Sequence, residues 1–201
     1  MEIDFIPSSR YSKHSVSRII ERMASSRERI LDSFERILID EGERAATVEA
    51  VATAADVSKG GLLYHFPSKE AMVEALGDRL QGLVGEDLAR MTQDPEGAAR
   101  YYVRTSVYED SPLDRALVAM ARLAQQGHAR AQERFSALED AWLGALEEEL
   151  GNRAIARAVK LMGDGLYYDA AFFAGDSARK QTPQDMEELL LLVDAIAPHW
   201  K

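Results

Sequence analysis

Residues 47–69, TVEAVATAADVSKGGLLYHFPSK, leave this chain few ways to fold. Thr47 can cap a helix, because its hydroxyl accepts from free backbone N–H groups. Val48, Val51, Ala52 and Ala55 then recur at helical spacing. Their small or branched side chains let a second helix cross closely. Asp56 falls at the turn, where a left-handed backbone is often needed and Asp tolerates it better than most residues. Val57 fits the corner, and Ser58 can cap a second helix running to about His65. Leu62 and Phe66 lie four apart and share the buried face of that helix. Lys59, Gly61, Leu63, Tyr64 and His65 are left nearer the outside. Pro67-Ser68 ends the helix, and Ser68 with Lys69-Glu70-Ala71 starts the next. Two short helices around a tight turn make a helix-turn-helix, a layout that places its second helix in the major groove of DNA.

The flanking segments predict helices throughout. Ser25 with Glu28 reads as a capping box opening a first helix, whose stripe is Ile30, Leu31, Phe34, Ile37 and Leu38 and whose end is Gly42. Residues 1–24 form an extension in which Ile19, Ile20 and Met23 could make a short helical turn. A fourth helix spans about 69–91. Beyond it the pattern predicts helices over 98–108, from Ser111-Pro112 to about 126, from Gly127 to about 150, over 153–174 and over 183–198, with no strand pattern. The fold class is all-α, with about nine helices.

The motif and the helix before it resemble the tetracycline-repressor (TetR) family of bacterial transcription regulators. The resemblance runs over residues 27–76 and rests on Ile30-Leu31, Phe34, Gly42, Thr47, Val51-Ala52, Ala55, Val57-Ser58-Lys59-Gly60, Leu62, Tyr64-His65-Phe66, Ser68-Lys69-Glu70 and Leu76. The spacing of VSKG, YHF and SKE is unbroken. It implies a helix-turn-helix DNA-binding domain at 25–71 and a ligand-binding and dimerisation domain at 72–201. It further implies that Thr47, Tyr64 or His65, and Lys69 meet backbone phosphates. Lys59, Gly60, Gly61 and Leu63, beside Ser58, would face base edges. Lysine can donate to guanine O6 and N7, and Leu63 could pack on a thymine methyl. Several residues depart from the family pattern. Gly61 stands where a hydroxyl residue is common, Leu63 where tyrosine is, and Asp56 where a turn glycine is. Glu49 occupies a position where some members carry a base-reading arginine, so that contact is ruled out.

A net charge of −10 looks wrong for a DNA binder, but position matters more than the sum. Residues 81–201 carry −7, whereas residues 10–29 carry +4 through Arg10, Lys13, Arg18, Arg22, Arg27 and Arg29. The extension could follow the DNA backbone or enter a minor groove. The absence of cysteine excludes disulfides and thiolate chemistry and fits a reducing cytoplasm. No apolar run approaches the roughly 18 residues that span a bilayer. The start, MEIDFIPSSRYSKH, does not read as a signal peptide. His14, His65, His128 and His199 make no metal spacing, and there is no HExxH, P-loop, GxGxxG or GxSxG. No catalytic residue, metal or cofactor is expected.

The helix over 153–174 is apolar on two sides. Ile155, Val159, Met162, Leu166, Ala170 and Phe173 line one side; Ala158, Leu161, Gly165, Tyr168 and Phe172 line the other. The last helix carries Leu189-Leu190-Leu191-Leu192-Val193, apolar nearly all round, and needs cover on most faces. That favours a homodimer, and the resemblance implies a four-helix interface from the last two helices. The expected interface is Ile155, Val159, Met162, Leu166, Leu189, Leu190, Leu192, Val193 and Ile196. The resemblance also implies a ligand pocket, for which the candidates are Tyr101, Tyr102, Tyr108, Met120, Phe135, Trp142, Met162, Tyr168 and Phe172. Edged by Glu109, Asp164 or Asp169, it could take a cationic or polycyclic compound. The expected function is a ligand-responsive regulator, a repressor before an activator. It would bind a palindromic double-stranded DNA operator as a homodimer and be released by a small-molecule inducer. The alternative is a helical small-molecule-binding protein or enzyme on the same fold, without specific DNA binding.

Overall fold

The computed structural model describes residues 13–172 and 182–197, with side chains from residue 25 onward apart from that of Phe172. The basic side chains expected of the 1–24 extension lie outside the described part, as does Phe173. Among the described residues the elements are α1 Lys13–Asp40, α2 Val48–Ala54, α3 Lys59–His65, α4 Lys69–Thr92, α5 Ala98–Thr105, α6 Pro112–Gln125, α7 Ala129–Leu150, α8 Arg153–Phe172 and α9 Pro183–Ile196. None is a strand. The chain divides into two compact units, Met1–Met72 and Val73–Lys201.

In the first unit α1 packs on α2 and α3, and α2 packs on α3. Ile30, Phe34, Leu38, Val51 and Leu62 are fully buried, and Phe66 nearly so. Gly42 ends α1 at φ 86°, where both its own N–H and that of Glu41 donate to the Ile37 carbonyl. Only glycine takes that backbone without strain. The start of α1 differs from expectation. Ser25 does not open the helix, which begins at Lys13 and runs through it. The Ser25 and Ser26 hydroxyls instead accept from the Arg29 guanidinium. Val16, Ile20 and Met23 extend the stripe upstream in phase, with no glycine or proline between. Continuing a helix is easier than nucleating a new one, so the stripe overrides the cap signal.

In the second unit α7 packs against α5, α6 and α8, and α5 packs against α8 and α9. Helix α5 stops at Thr105, short of the predicted 108. The Thr105 and Ser106 hydroxyls donate to the Tyr101 and Tyr102 carbonyls at 2.8 and 2.6 Å. Ser106 then leaves helical geometry at ψ 55°. Such back-bonding competes with helix continuation. Ser111 and Asp114 start α6 with a reciprocal capping box, and Thr182 and Asp185 start α9 in the same way.

Candidate nucleic-acid interface and ligand cavity

The motif is held by local chemistry. Thr47 Oγ1 accepts from the Ala50 N–H at 3.1 Å and starts α2. Asp56 takes the left-handed turn at φ 53°, and the Val57 N–H donates to the Ala52 carbonyl. Ser58 Oγ accepts from the Gly61 N–H at 3.0 Å and starts α3. Because Leu62 and Phe66 point into the core, α3 turns Lys59, Gly60, Leu63 and Tyr64 outward, with Tyr64 73% exposed. His65 is half-buried, its ring edge-on to Tyr64 with centroids 5.4 Å apart. Thr47 is exposed and Gly61 half-buried.

Both lysines of this face are engaged. Lys59 Nζ donates to Glu49 Oε1 at 2.6 Å, and the ammonium lowers the Glu49 carboxyl below the usual carboxylate range. Lys69 Nζ donates to the Glu43 carbonyl at 2.7 Å and lies 3.5 Å from its carboxylate, which draws it onto the loop between α1 and α2. Ser68 caps α4 through the Ala71 N–H. Sequence reading placed the lysines on one side but missed these partners, 10 and 26 residues away.

In the second unit a cavity of about 90 Å³ opens among α4 to α8. Tyr102, Phe135, Trp142, Tyr167 and Tyr168 supply its aromatic wall; Leu113, Leu117, Val118 and Ala121 its aliphatic one; Thr105 and Ser106 hydroxyls. Four carboxylates complete it: Asp87, Asp114, Glu139 and Asp164. Tyr102 donates to Asp164 at 2.6 Å. The Trp142 indole and the Tyr101 hydroxyl donate to Asp87 at 3.0 and 2.8 Å. Lys160, 8% exposed, bridges Glu139 and Asp164. Asp114 is tied to the Ser111 and Glu109 N–H groups. Burial, then the Asp164 charge, pushes the Tyr102 hydroxyl far above the tyrosine range; burial, then Asp114, does the same to Tyr167. Burial also raises Glu139, against the pull of Lys160.

Four of the nine residues proposed for a pocket line this cavity: Tyr102, Phe135, Trp142 and Tyr168. Tyr101 turns to Asp87 and Arg90, Tyr108 stacks edge-on to Tyr167, Met120 is fully buried and Met162 is half-buried off the wall. The Phe172 side chain is outside the described residues. Of the expected acidic edges only Asp164 lines the cavity; Glu109 and Asp169 do not. Sequence reading missed Asp87, Asp114, Glu139 and Tyr167.

The sequence pattern described as "Bacterial regulatory proteins, tetR family" matches residues 30–76, the stretch that builds the helix-turn-helix. The helix-turn-helix stretch is thus of the TetR-family type. A relative, the HTH-type transcriptional repressor KstR2 of Rhodococcus jostii (strain RHA1), is 33% identical over 131 residues, covering 60% of this chain and 63% of its own. The match thus spans less than two thirds of that relative. GusR of Salmonella enterica superposes with a TM-score of 0.63 at 20% identity, covering 86% of this chain and 95% of its own. The multidrug binding protein EbrR, solved with malachite green, gives 0.64 at 19% identity, covering 86% and 98%. These structural likenesses establish the fold.

The structure shows which face of α8 and α9 turns outward in the single chain. Val159, Leu166, Leu190 and Val193, expected at a subunit interface, are 0, 8, 8 and 1% exposed within the single chain. They point inward, as Ala156 and Gly163 do on the same side of α8. Ile155, Met162, Leu189 and Ile196 are half-buried. The outward stripe of α8 is Ala154, Ala158, Leu161, Gly165 and Tyr168, and that of α9 carries Leu191, Leu192 and Ala195. Both sides of α8 are apolar in sequence, so periodicity alone left the choice open. Among the described residues no helix is long and apolar enough to cross a membrane, and no group of His, Asp or Glu is arranged to hold a metal ion.

Proposed function

We propose that this chain is a cytoplasmic transcriptional regulator, a repressor, that binds a palindromic DNA operator as a homodimer and is released by a small molecule. The observation that carries the reading is the outward row of α3: Lys59, Gly60, Leu63 and Tyr64, held off the core by Leu62 and Phe66. A helix so presented can enter a major groove, with Thr47, His65 and Lys69 beside it for phosphates. The name of KstR2 supports repression. The second copy would cover the outward stripes of α8 and α9, where Leu161, Leu191 and Leu192 are 66, 60 and 48% exposed. A two-fold dimer presents two reading helices to half-sites about one helical turn apart.

The inducer would enter the aromatic, acidic cavity. Four carboxylates against one buried ammonium favour a cationic aromatic compound over an anion. EbrR, which binds malachite green, is in keeping with that class. Release follows if ligand binds more tightly to a form whose reading heads mismatch the operator, with α4 carrying the change. The test is binding of the purified protein to its own upstream region across a salt series. Tight, site-specific binding that weakens steeply with salt is expected. Binding no stronger than to random DNA would instead favour a small-molecule-binding protein or enzyme on this fold.

A further inference from the structure

Between Arg44 and Lys69 the sequence has a single Lys or Arg, Lys59. It stands at the first position of α3, the end of a recognition helix that reaches base edges in this motif. Its ammonium is not left to the phosphates. Glu49, in the first turn of α2, holds it at 2.6 Å, and both side chains are more than half exposed. An exposed pair of this kind adds little to folding stability. A carboxylate at a DNA-facing surface is repelled by phosphates unless it meets a donor. Of the two major-groove amino donors, cytosine N4 and adenine N6, the one a carboxylate characteristically reads is cytosine N4; guanine O6 and N7, in the same base pair, are what a lysine reads. After their mutual contact, Lys59 keeps two N–H donors and the Glu49 carboxylate keeps acceptor capacity.

We propose that Glu49 and Lys59 act as one reading element for a G·C base pair, Lys59 donating to the guanine and Glu49 accepting from the cytosine. Glu49 is then a specificity determinant. It fixes where the ammonium points, and it rejects pairs that place no amino donor opposite it. This rests on the DNA-reading function proposed above.

The experiment is selection of bound duplexes from a random-sequence DNA library by the full-length protein, for wild type, Glu49→Ala, Glu49→Gln and Lys59→Ala. Wild type is expected to select a palindrome with one invariant G·C pair in each half-site. Glu49→Ala should lose about tenfold of the preference at that pair and keep it elsewhere. Glu49→Gln should move the preference toward A·T, because an amide reads adenine. Lys59→Ala should lose the guanine at the same position. If Glu49→Ala selects the wild-type site with undiminished G·C preference, and only binds all DNA more tightly, Glu49 merely neutralises the lysine and the proposal is overturned. A wild-type protein that selects no site at all overturns the DNA-reading function together with it. Thermal unfolding of each variant, expected to match wild type, separates loss of reading from loss of fold.

Discussion

Gly163→Ala should destabilise the protein although alanine is the better helix former. Gly163 lies inside α8, and a Cβ there would stand 2.6 Å from Tyr102 Cε1 and 2.7 Å from Ser106 Oγ. No carbon fits at that distance, so either α5 and α8 separate or Tyr102 swings away. Separation is overpacking, which costs about 1–3 kcal/mol. Swinging Tyr102 breaks its 2.6 Å hydrogen bond to Asp164, a bond to a charged acceptor worth roughly 1.5–3 kcal/mol. Against these stands a gain of about 1 kcal/mol in helix propensity. Either cost alone, less that gain, leaves a net loss of up to about 2 kcal/mol, and both together leave about 1.5–5 kcal/mol. Urea unfolding at one fixed protein concentration reads it. With a slope near 2 kcal/mol per M, the midpoint should fall by up to about 1 M for one cost and by about 0.8–2.5 M for both. Gly144→Ala is the control: nothing lies within 4 Å of its Cβ position on the exposed side of α7, and it should raise stability by about 1 kcal/mol. If Gly163→Ala equals or exceeds wild type while Gly144→Ala stabilises, the close crossing of α5 and α8 is wrong.

Lys160→Met removes the cation that bridges Glu139 and Asp164 in a buried setting and should cost about 3–5 kcal/mol at pH 7. The deficit should shrink as pH falls, because burial already raises the Glu139 carboxyl and it takes up a proton more readily once the ammonium is gone; a deficit independent of pH counts against the trio. Burial holds the Glu139 carboxyl above its ordinary 4.5, so the folded state binds that proton more tightly than the unfolded one. The stability tied to this proton is present below that ordinary value and is lost as pH rises through the folded one. Wild type should therefore lose stability relative to Glu139→Gln as pH rises above about 4.5, and a flat difference would refute the assignment. If the protein is the proposed homodimer, Leu161→Asp combined with Leu191→Asp should convert it to monomers in sedimentation without unfolding them, since both side chains are exposed in the single chain; dimers that persist place the interface elsewhere.

The helix-turn-helix was legible because its signals are local. Thr47, Ser58, Ser68 and Ser111 each cap a helix whose first free N–H lies three residues on. Gly42 and Asp56 announce left-handed backbone by residue type. The cavity was half legible. Large aromatics in an acidic helical domain pointed to Tyr102, Phe135, Trp142 and Tyr168, and Asp164 was expected at an edge, but Asp87, Asp114 and Glu139 carry no local mark of a cavity. Their partners are remote: Tyr102 and Asp164 are 62 residues apart, and Trp142 and Asp87 are 55. The α8 face was misjudged for a different reason. Val159 and Leu166 on one side, and Ala158, Leu161 and Gly165 on the other, are equally apolar. One signal did discriminate. Gly163 is in phase with Ala156, Val159 and Leu166, and Tyr102 crosses it too closely for any side chain.

Two lysine–carboxylate pairings in this chain differ in burial, and burial separates a contact that holds the fold from the one proposed for recognition. Lys160 is 8% exposed, so its ammonium has exchanged most of its water for Glu139 and Asp164. Deleting one partner there strands a charge in a poor solvent, and the fold suffers. Lys59 and Glu49, with side chains 60 and 65% exposed, keep their water, and deleting either leaves the other solvated. A stability measurement should therefore be nearly blind to residues 49 and 59 and acutely sensitive to residue 160. A DNA-selection measurement should show the reverse, provided Lys160→Met is assayed where it remains folded. If Glu49→Ala lowered stability as much as Lys160→Met, the 2.6 Å contact would belong to the core of the first unit, not to its outward face.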